Sequence, residues 1–349
     1  MERPDLTQTP QSVIEYIEYL EEIVRQTKSS KATATSEEIA ADATPITQEP
    51  PTSIQILTAS SFGYAKRTAR HHYIPQHRGG TGNADMLIEN DDKHAFLSSL
   101  DDATTMIAFS NFGRVFRIPV SRFEAKGLRE PGDWLWDRIE RTNASEKITA
   151  VLPVQATGFV AMVTRTGRIR ALRHHLFGDH MRHGMSVFSP MEHGELISAC
   201  WTKGAADILI ATRNGMAIRF SEKIISSAGD QSIKLMGQDE VIGIAPINSD
   251  SEVFVATRDG KGTLRKMTGF APNKSAGGSG KILIKSNSVV GIVAVNPDDH
   301  IFLLTLQGKI IRFPVNEVPP TDAPVQGVNC MTLRNDFVIS VIKSGQLLG

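Results

Sequence analysis

The feature that most constrains this chain is a β-hairpin pattern that recurs six times between residue 53 and the C-terminus. Each repeat has an apolar, β-branched run, a short polar turn that ends on glycine, and a second run that carries arginine. The turn glycines are Gly63, Gly113, Gly167, Gly215, Gly260 and Gly308. Tight hairpin turns need positive φ, which glycine adopts without steric cost. The pattern therefore predicts six similar antiparallel units.

The distance between repeats indicates how these units are arranged. Successive turn glycines are 50, 54, 48, 45 and 48 residues apart, and a further apolar run follows each hairpin. A period of this length with several strands per unit is typical of the blades of a β-propeller. We predict an all-β, six-bladed propeller over residues 53–349. A β-sandwich or a pair of barrels is the alternative, and six matched hairpins argue against it.

The first 52 residues differ in character from the repeats. Val13, Ile17, Leu20 and Val24 recur at helical spacing, and Ser12 with Glu15 fits a capping box. This pattern predicts a short amphipathic α-helix within residues 1–28. Residues 29–52 are rich in Ser, Thr, Ala, Pro and acidic residues. Such a composition is typical of a flexible linker.

The formal net charge of zero hides an uneven distribution. Residues 1–50 contain ten acidic and four basic residues, so residues 51–349 carry an excess of six positive charges. This excess is compatible with a polyanionic partner, although it is too small to identify one without the local placement of the charges.

The most distinctive segment lies between the hairpin and the closing run of the first unit. It reads Gln76, His77, Arg78, Gly79, Gly80, Thr81 and Gly82, and the basic residues Lys66, Arg67 and Arg70 precede it. Glycines let the backbone approach another surface closely, and backbone N–H groups beside a guanidinium suit a phosphate. The segment predicts a phosphate contact. A glycine-rich turn with solvated charges is the alternative.

This segment is similar to the seven-residue gyrase box, whose pattern is Gln-Arg-Arg-Gly-Gly-any-Gly, and residues 56–68 match the first hairpin of the same family. Residues 53–349 thus resemble the C-terminal DNA-wrapping domain of DNA gyrase A, in the type IIA topoisomerase family. Gln76, Arg78, Gly79, Gly80 and Gly82 match the box, whereas His77 replaces an arginine. The resemblance implies a β-pinwheel, a propeller whose blades exchange strands, with double-stranded DNA wrapped around a basic rim.

We predict DNA contacts from the box, from the basic residues before it, and from the repeated arginine of each later hairpin. These residues are Lys66, Arg67, Arg70, Gln76, His77, Arg78, Gly79, Gly80, Gly82, Arg117, Arg170, Arg219, Arg265 and Arg312. The partners implied are double-stranded DNA and a breakage–reunion subunit. Whether the chain is a C-terminal domain or a free-standing accessory subunit stays open. The alternative function is a protein-interaction propeller with vestigial DNA contact.

We expect no enzymatic activity from this chain alone, and no cofactor. None of its four tyrosines lies in a winged-helix context, where a DNA-cleaving tyrosine is expected. Residues 275–281 lack the first glycine of an ATP-binding loop, and Ile282 stands where Ser or Thr is required. The histidine-rich run at 174–183 has no metal-binding framework beside it, which favours a basic surface loop over a metal site.

The sequence also suggests where the protein works. Cys200 and Cys330 are far apart in sequence, as expected for buried thiols in a reducing compartment. The N-terminus has no secretory pattern, and no apolar run reaches the length of a membrane helix. We therefore expect a cytoplasmic, nucleoid-associated protein without membrane contact.

Overall fold

The computed structural model describes residues 49–89, 91–137, 139 and 141–344. The helix predicted within residues 1–28 lies outside these residues, as does most of the linker predicted at 29–52. The described strands form six separate sheets of four or five strands each. No described helix is long and apolar enough to cross a membrane.

The strands are β1 (Ile54–Ser60), β2 (Tyr64–Ala69), β3 (Asn83–Ala84), β4 (His94–Asp101), β5 (Thr105–Ser110), β6 (Arg114–Pro119), β7 (Asp133–Trp134), β8 (Ile148–Pro153), β9 (Phe159–Thr164), β10 (Arg168–Arg173), β11 (Met185–Ser186), β12 (Leu196–Thr202), β13 (Asp207–Thr212), β14 (Met216–Ser221), β15 (Asp230–Gln231), β16 (Val241–Ile247), β17 (Glu252–Thr257), β18 (Lys261–Lys266), β19 (Lys281–Ile282), β20 (Val289–Val295), β21 (His300–Thr305), β22 (Lys309–Pro314), β23 (Pro320–Thr321), β24 (Val328–Asn329) and β25 (Val338–Ser344). The 3-10 helices are η1 (Arg70–His72), η2 (Val120–Arg122), η3 (Leu135–Asp137), η4 (His174–Phe177), η5 (Glu222–Ile224) and η6 (Val315–Glu317), and the single short α-helix of the described residues is α1 (Pro190–His193).

All six sheets share one strand order, and each forms one blade. The central pair is a hairpin, and we number blades 1 to 6 by the hairpins β1–β2, β5–β6, β9–β10, β13–β14, β17–β18 and β21–β22. One neighbour of the hairpin is the closing strand of the same unit, namely β4, β8, β12, β16, β20 or β25. These six strands together line a central channel of about 390 Å³. The closing strands are therefore the inner edges of the blades.

The outer edge of each blade comes from a different unit. The short strand β7 belongs to the second unit but pairs antiparallel with β2 of blade 1, and β11, β15 and β19 repeat this exchange. Blade 5 receives two strands from the sixth unit, β24 antiparallel in the same register and β23 parallel. The ring closes when β3 of the first unit pairs with β22 of blade 6, with Lys309 opposite Ala84. We call the part of each unit between its hairpin and its closing strand the exchange segment. The predicted six-bladed β-pinwheel is confirmed.

Hairpin strands are buried on both faces because each blade packs between two neighbours. In β13 every residue from Ile208 to Thr212 is buried. Such strands carry continuous apolar runs rather than an alternation of apolar and polar residues. Full burial of one aliphatic side chain stabilises the fold by about 1.5–3 kcal/mol. The repeated apolar runs in the sequence thus reflect the seams, which are the interfaces between consecutive blades.

The repeated arginines do not all face the same neighbour. Arg219 pairs in register with Leu209, and Arg67, Arg117 and Arg312 occupy the same register in their hairpins. Arg170 and Arg265 are displaced by one residue, opposite Met162 and Val253. Since side chains alternate between the faces of a strand, these two point towards the preceding blade. The six repeated arginines therefore do not occupy equivalent positions.

Candidate nucleic-acid interface

The gyrase-box segment lies across the closing seam, between blade 6 and blade 1. The backbone N–H of Gln76 donates to the carbonyl of Arg312 at 2.7 Å. The N–H of Gly79 donates to Cys330 O at 2.8 Å, and that of Thr332 donates to Gly80 O at 2.9 Å. The backbone of the box therefore joins the first unit to the last blade by hydrogen bonds.

The glycines of the box are required by this contact. Gly79 and Gly82 have φ of +85° and +69°, which residues with a Cβ rarely adopt. A Cβ atom on Gly82 would lie 2.7 Å from the carbonyl oxygen of Ile310. On Gly80 it would lie 2.5 Å from Oε1 of Gln76, the atom that accepts the N–H of Gly82. A substitution at Gly82 therefore forces the box away from blade 6, and one at Gly80 displaces the Gln76 side chain.

A similar pair of backbone hydrogen bonds, made by different residues, joins the fifth unit to the fourth. Gly277 donates to Ser232 O at 2.8 Å, while Lys234 donates to Gly278 O at 2.9 Å. Gly277 and Gly280 also share the positive φ of Gly79 and Gly82. The glycine-rich stretch of the fifth unit is thus a structural counterpart of the box. The box makes the same kind of backbone contact at the seam that closes the ring.

His77 and Arg78 are the basic side chains that the box presents at the surface, and both contact Glu317. His77 Nδ1 lies 2.7 Å from Glu317 Oε1, and the Arg78 N–H donates to Oε2 at 2.6 Å. The Arg78 guanidinium donates to Glu317 O at 2.8 Å and to Asn329 O at 3.1 Å, yet the residue stays exposed.

The backbone of the box is less available to a ligand than the sequence suggests. The N–H groups of Arg78, Gly79, Gly80 and Gly82 all donate to acceptors within the protein. Contact of these amides with phosphate, as inferred from the glycine pattern, would require those bonds to break. Phosphate contact by the box stays a prediction from the sequence, and it falls to the Arg78 and His77 side chains rather than to the backbone amides.

Four of the repeated arginines tie one blade to the next. Arg219 of blade 4 donates to the carbonyls of Met267 and Phe270 in the next unit, at 2.9 and 3.1 Å, and pairs with Asp207 at 2.8 Å. In the same way Arg67 donates to Phe123 O, Arg117 to Phe177 O, and Arg312 to Arg70 O and Tyr73 O. The acceptors lie on the short turn that follows the next hairpin. These side chains stabilise seams.

At the closing seam this tie extends into a larger network that contains Glu49. Arg312, which is 5% exposed, lies 2.6 Å from Glu49 Oε2 and donates from Nε to Nδ1 of His300 at 2.9 Å. Arg70 binds the other oxygen of Glu49. Burial and the nearby Arg312 lower the pKa of His300 to about 4, so its ring stays neutral and accepts. Glu49, inside the predicted linker, is therefore bound to the ring.

Glu49 makes the closing seam sensitive to acid. Burial raises its pKa, but hydrogen bonds from Arg70 and Arg312 outweigh that effect and leave the pKa lowered. A depressed pKa means that the carboxylate stabilises the fold above its unfolded value of about 4.3, and that this stability is lost as pH falls through the folded value. We expect Glu49→Gln to lower the free energy of unfolding by about 1–3 kcal/mol at neutral pH.

Urea unfolding of both proteins from neutral pH down to about pH 3 tests this expectation, because the difference should vanish at the acid end. A difference of constant size across that range would contradict the role of the carboxylate. Glu192→Gln, on the exposed short helix α1, is the control and should match the parent at every pH.

Lys66 is fully buried, in a polar cluster at the closing seam. Its Nζ lies 3.1 Å from Asp85 Oδ1 and donates to Gly127 O at 2.8 Å. Asp85 also accepts from Thr58 at 2.6 Å and from Tyr73 at 2.7 Å. Burial and Asp85 raise the pKa of Tyr73 well above its usual value. The cluster fixes the start of the first unit and leaves Lys66 no exposed surface.

The two displaced arginines also lie within seams. Arg170 donates to Val187 O, and its guanidinium lies 5.6 Å from the ring of Phe188. Arg265 is 4% exposed, and burial lowers its pKa. DNA contact by the repeated arginines stays a prediction from the sequence. Their burial and partners argue against it, most strongly for Lys66, Arg219, Arg265 and Arg312.

Exposed basic residues occur instead in the exchange segments, at the outer edge of the ring. Each of the six segments has at least one, and one from each segment is named here: Arg78, Arg129, Arg182, Lys234, Lys281 and Arg334. From the sequence, Arg78 was predicted and Arg182 was placed in a basic surface loop, but the other four were not predicted as rim residues because the prediction followed the regular hairpin arginine. These residues could be recognised by their proximity to the exchanged strands, but those strands are identified only when the strand pairing is known.

The histidine-rich run and the two cysteines show packing rather than metal-binding contacts in the described residues. His174 and His175 pack edge to face, with ring centroids 5.9 Å apart. Within the described ranges no three His, Cys, Asp or Glu side chains form a group that could hold a metal ion. Cys200 and Cys330 are free and buried, which confirms the expected buried thiols. Burial raises the pKa of Cys330 to about 12, so this thiol is unreactive at neutral pH.

A family model described as the DNA gyrase C-terminal domain, β-propeller, matches residues 55–98, 105–127, 206–248 and 299–344. These four segments cover the first unit with its box, the second hairpin, and most of the fourth and sixth units. In these segments the chain is similar to the DNA gyrase C-terminal domain family. The matched segments include both sides of the closing seam, where the box meets blade 6.

Known DNA gyrase A proteins are similar to most of the chain. DNA gyrase A of Staphylococcus aureus (strain NCTC 8325 / PS 47) is 28% identical over 301 residues, which are 82% of this chain and 34% of that protein. The same values apply to the protein of strain COL. The chain thus spans about a third of the length of the curated relatives it matches.

Two solved structures share the fold. A DNA gyrase A C-terminal domain superposes with a TM-score of 0.70 at 18% identity, covering 83% of this chain and 99% of that domain. The C-terminal domain of a DNA topoisomerase IV gives a TM-score of 0.58 at 22% identity, covering 83% and 93%. At these identities the superpositions establish the fold.

Proposed function

We propose that the pinwheel binds double-stranded DNA without sequence preference and wraps it around its outer rim, as the DNA-wrapping part of a gyrase-like type IIA topoisomerase. The observation that carries the proposal is the exposed basic residue in each exchange segment. Because the exchanged strands are the outermost strands of the blades, these charges recur around the whole ring. Similarity to the gyrase C-terminal domain family supports the same function.

Wrapping needs several such contacts at once. Smoothly bending 20–30 base pairs by 40–90° costs about 1–6 kcal/mol. Each neutralised phosphate releases counterions and contributes favourably, so a periodic row of cations can offset the bending energy. A closed ring keeps those cations at fixed intervals. The box fits this function because it holds the ring closed and presents Arg78 at the same edge.

Lack of sequence preference follows from which atoms would meet. Lysine and arginine side chains on a convex rim reach phosphates first, and phosphate contacts position DNA without reading its sequence. We propose that other proteins, among them a breakage–reunion subunit, supply DNA cleavage and ATP hydrolysis. The chain would act either as a domain or as an accessory component of that assembly.

The salt dependence of duplex binding tests the basic rim. With about six phosphate contacts, log affinity should fall against log salt with a slope of about −5. Lys281→Ala, in the exchanged strand β19, should reduce the magnitude of the slope by about 1 for any sequence tested. Lys203→Ala, outside the exchange segments, is the matched control and should leave the slope unchanged.

A slope near zero would contradict the proposal. Equal effects of the two lysine variants would contradict the assignment to the rim. Affinity that depends strongly on duplex sequence would argue against phosphate-dominated binding.

A further inference from the structure

Blade 3 lacks the arginine tie that four other blades have. Ala171 pairs with Ala161 in the register where Arg219 pairs with Leu209 in blade 4. The arginine of this blade is displaced to position 170 and faces blade 2 instead. An alanine side chain cannot donate a hydrogen bond across the seam to blade 4.

The missing side chain leaves a cavity between blades 3 and 4. Its volume is about 490 Å³, and Ala171, Leu172, Leu176 and Phe159 form part of its lining. Sites for small organic molecules have volumes of about 300–1,000 Å³ and combine apolar walls with a few polar groups. The cavity therefore has the size and the apolar character of such a site.

By correspondence with the next seam, we infer that one wall of the cavity presents hydrogen-bond acceptors. At the next seam Arg219 donates to the carbonyls of Met267 and Phe270, the first and fourth residues of a tight turn. The corresponding turn of blade 4 runs from Glu222 to Ile225, closed by the bond from Ile225 N–H to Glu222 O at 3.0 Å. Both residues line the cavity, and the carboxylate of Glu222 accepts from Ala206 N–H. This wall suits a ligand that carries N–H donors.

The rest of the polar lining is basic. Arg173, His175 and Lys223 are exposed and line the same cavity. The guanidinium of Arg173 lies 5.8 Å from the centre of the Phe159 ring. A ligand that satisfies all parts of the lining has a flat ring for Phe159, N–H donors for the acceptor wall, and a negative charge for the basic residues.

We propose that this cavity binds a nucleoside phosphate. The base stacks on Phe159 and donates N–H groups to Glu222 and to the Ile225 carbonyl. The phosphate binds Arg173, Lys223 and His175. An inorganic anion would leave the acceptor wall unused, and an arginine side chain would meet three basic neighbours. The inference does not rest on duplex wrapping by the rim.

Isothermal titration of the full chain with adenosine monophosphate tests the proposal, with inorganic phosphate as the comparison ligand. We expect the mononucleotide to bind at least tenfold more tightly than inorganic phosphate. Ala171→Arg should abolish the binding, because its side chain fills the cavity as Arg219 does at the next seam. The exposed pair Arg173→Ala and Lys223→Ala should weaken it at least tenfold without affecting folding. Lys203→Ala should leave it unchanged.

A 5′-phosphorylated single-stranded oligonucleotide distinguishes the source of the nucleotide. If it displaces adenosine monophosphate, the cavity accepts a strand end. If it does not, the cavity takes the free nucleotide. Equal affinity for inorganic phosphate, or undiminished binding in both the Ala171→Arg and the Arg173/Lys223 variants, would overturn the proposal. Duplex affinity should be the same in Ala171→Arg as in the parent, which separates this test from that of the rim.

Discussion

Replacing Gly82 by alanine is expected to abolish DNA wrapping while much of the duplex binding remains. The new Cβ would lie 2.7 Å from Ile310 O and 2.9 Å from the methyl group of Met331. Since a backbone oxygen cannot move away as a flexible side chain can, the box must leave blade 6. The closing seam then loses the backbone hydrogen bonds between the box and blade 6. The rim is no longer rigid enough to hold DNA bent around it. Most rim cations stay in place and still bind phosphates.

Relaxed circular DNA treated with a nicking–closing enzyme gives the measurement. The parent should shift the linking number, and Gly82→Ala should reduce that shift to background. A filter-binding or gel-shift assay on short duplexes should show a much smaller loss. Replacing Arg78, Gly79 and Gly80 together by alanine should act in the same direction.

Gly237→Ala is the matched control for this experiment. Gly237 has φ of +58°, close to the +69° of Gly82, but a Cβ there would meet nothing within 4 Å. Both variants therefore bear similar backbone strain, of about 1 kcal/mol, and only Gly82→Ala adds a clash at the closing seam. A linking-number shift that survives in Gly82→Ala, or is lost equally in Gly237→Ala, would argue against the role of the box in closing the ring.

The fold could be predicted from the sequence because its signals are local. Each turn glycine marks a tight hairpin, and burial between two blades produces the continuous apolar runs. The apolar runs at 241–247 and 289–295 coincide with the closing strands β16 and β20. The exchange of outer strands could not be derived this way. Strands of two residues, such as β3, leave no periodic pattern, so the resemblance to the gyrase family supplied that expectation.

The candidate site was less predictable, for a physical reason. An arginine has the same sequence signature whether it faces DNA or the carbonyls of a neighbouring blade. Arg219 and Arg312 find their acceptors in other units, which a linear reading does not bring together. Strand parity alone did contain one clue, because spacings of three and five residues from the turn glycine place Arg170 and Arg265 on the opposite face from the others. The residue at the position that arginine occupies in the other blades, such as Ala171, then indicates a seam without the arginine hydrogen bonds.

Replacing Arg312 by alanine is expected to lower the free energy of unfolding by about 3–5 kcal/mol. The guanidinium is 5% exposed and serves four acceptors at the closing seam: Glu49, His300 Nδ1, and the carbonyls of Arg70 and Tyr73. Its removal leaves a partly buried carboxylate with one cation instead of two. The buried carbonyls lose their donor as well, and an unsatisfied buried acceptor costs about 1–3 kcal/mol.

Urea unfolding at neutral pH measures this loss, and hydrogen exchange locates it. The amides of β3 and of the box should exchange faster in Arg312→Ala, because they bond across the seam that Arg312 stabilises. Arg334→Ala, at an exposed position of the same unit, should change the stability by no more than about 0.5 kcal/mol. Arg312→Lys keeps a positive charge but offers one donor group in place of the planar fork, so it should fall between the two. If Arg312→Ala unfolds at the same urea concentration as Arg334→Ala, or if its faster exchange lies away from the closing seam, then Arg312 does not help to hold the ring closed.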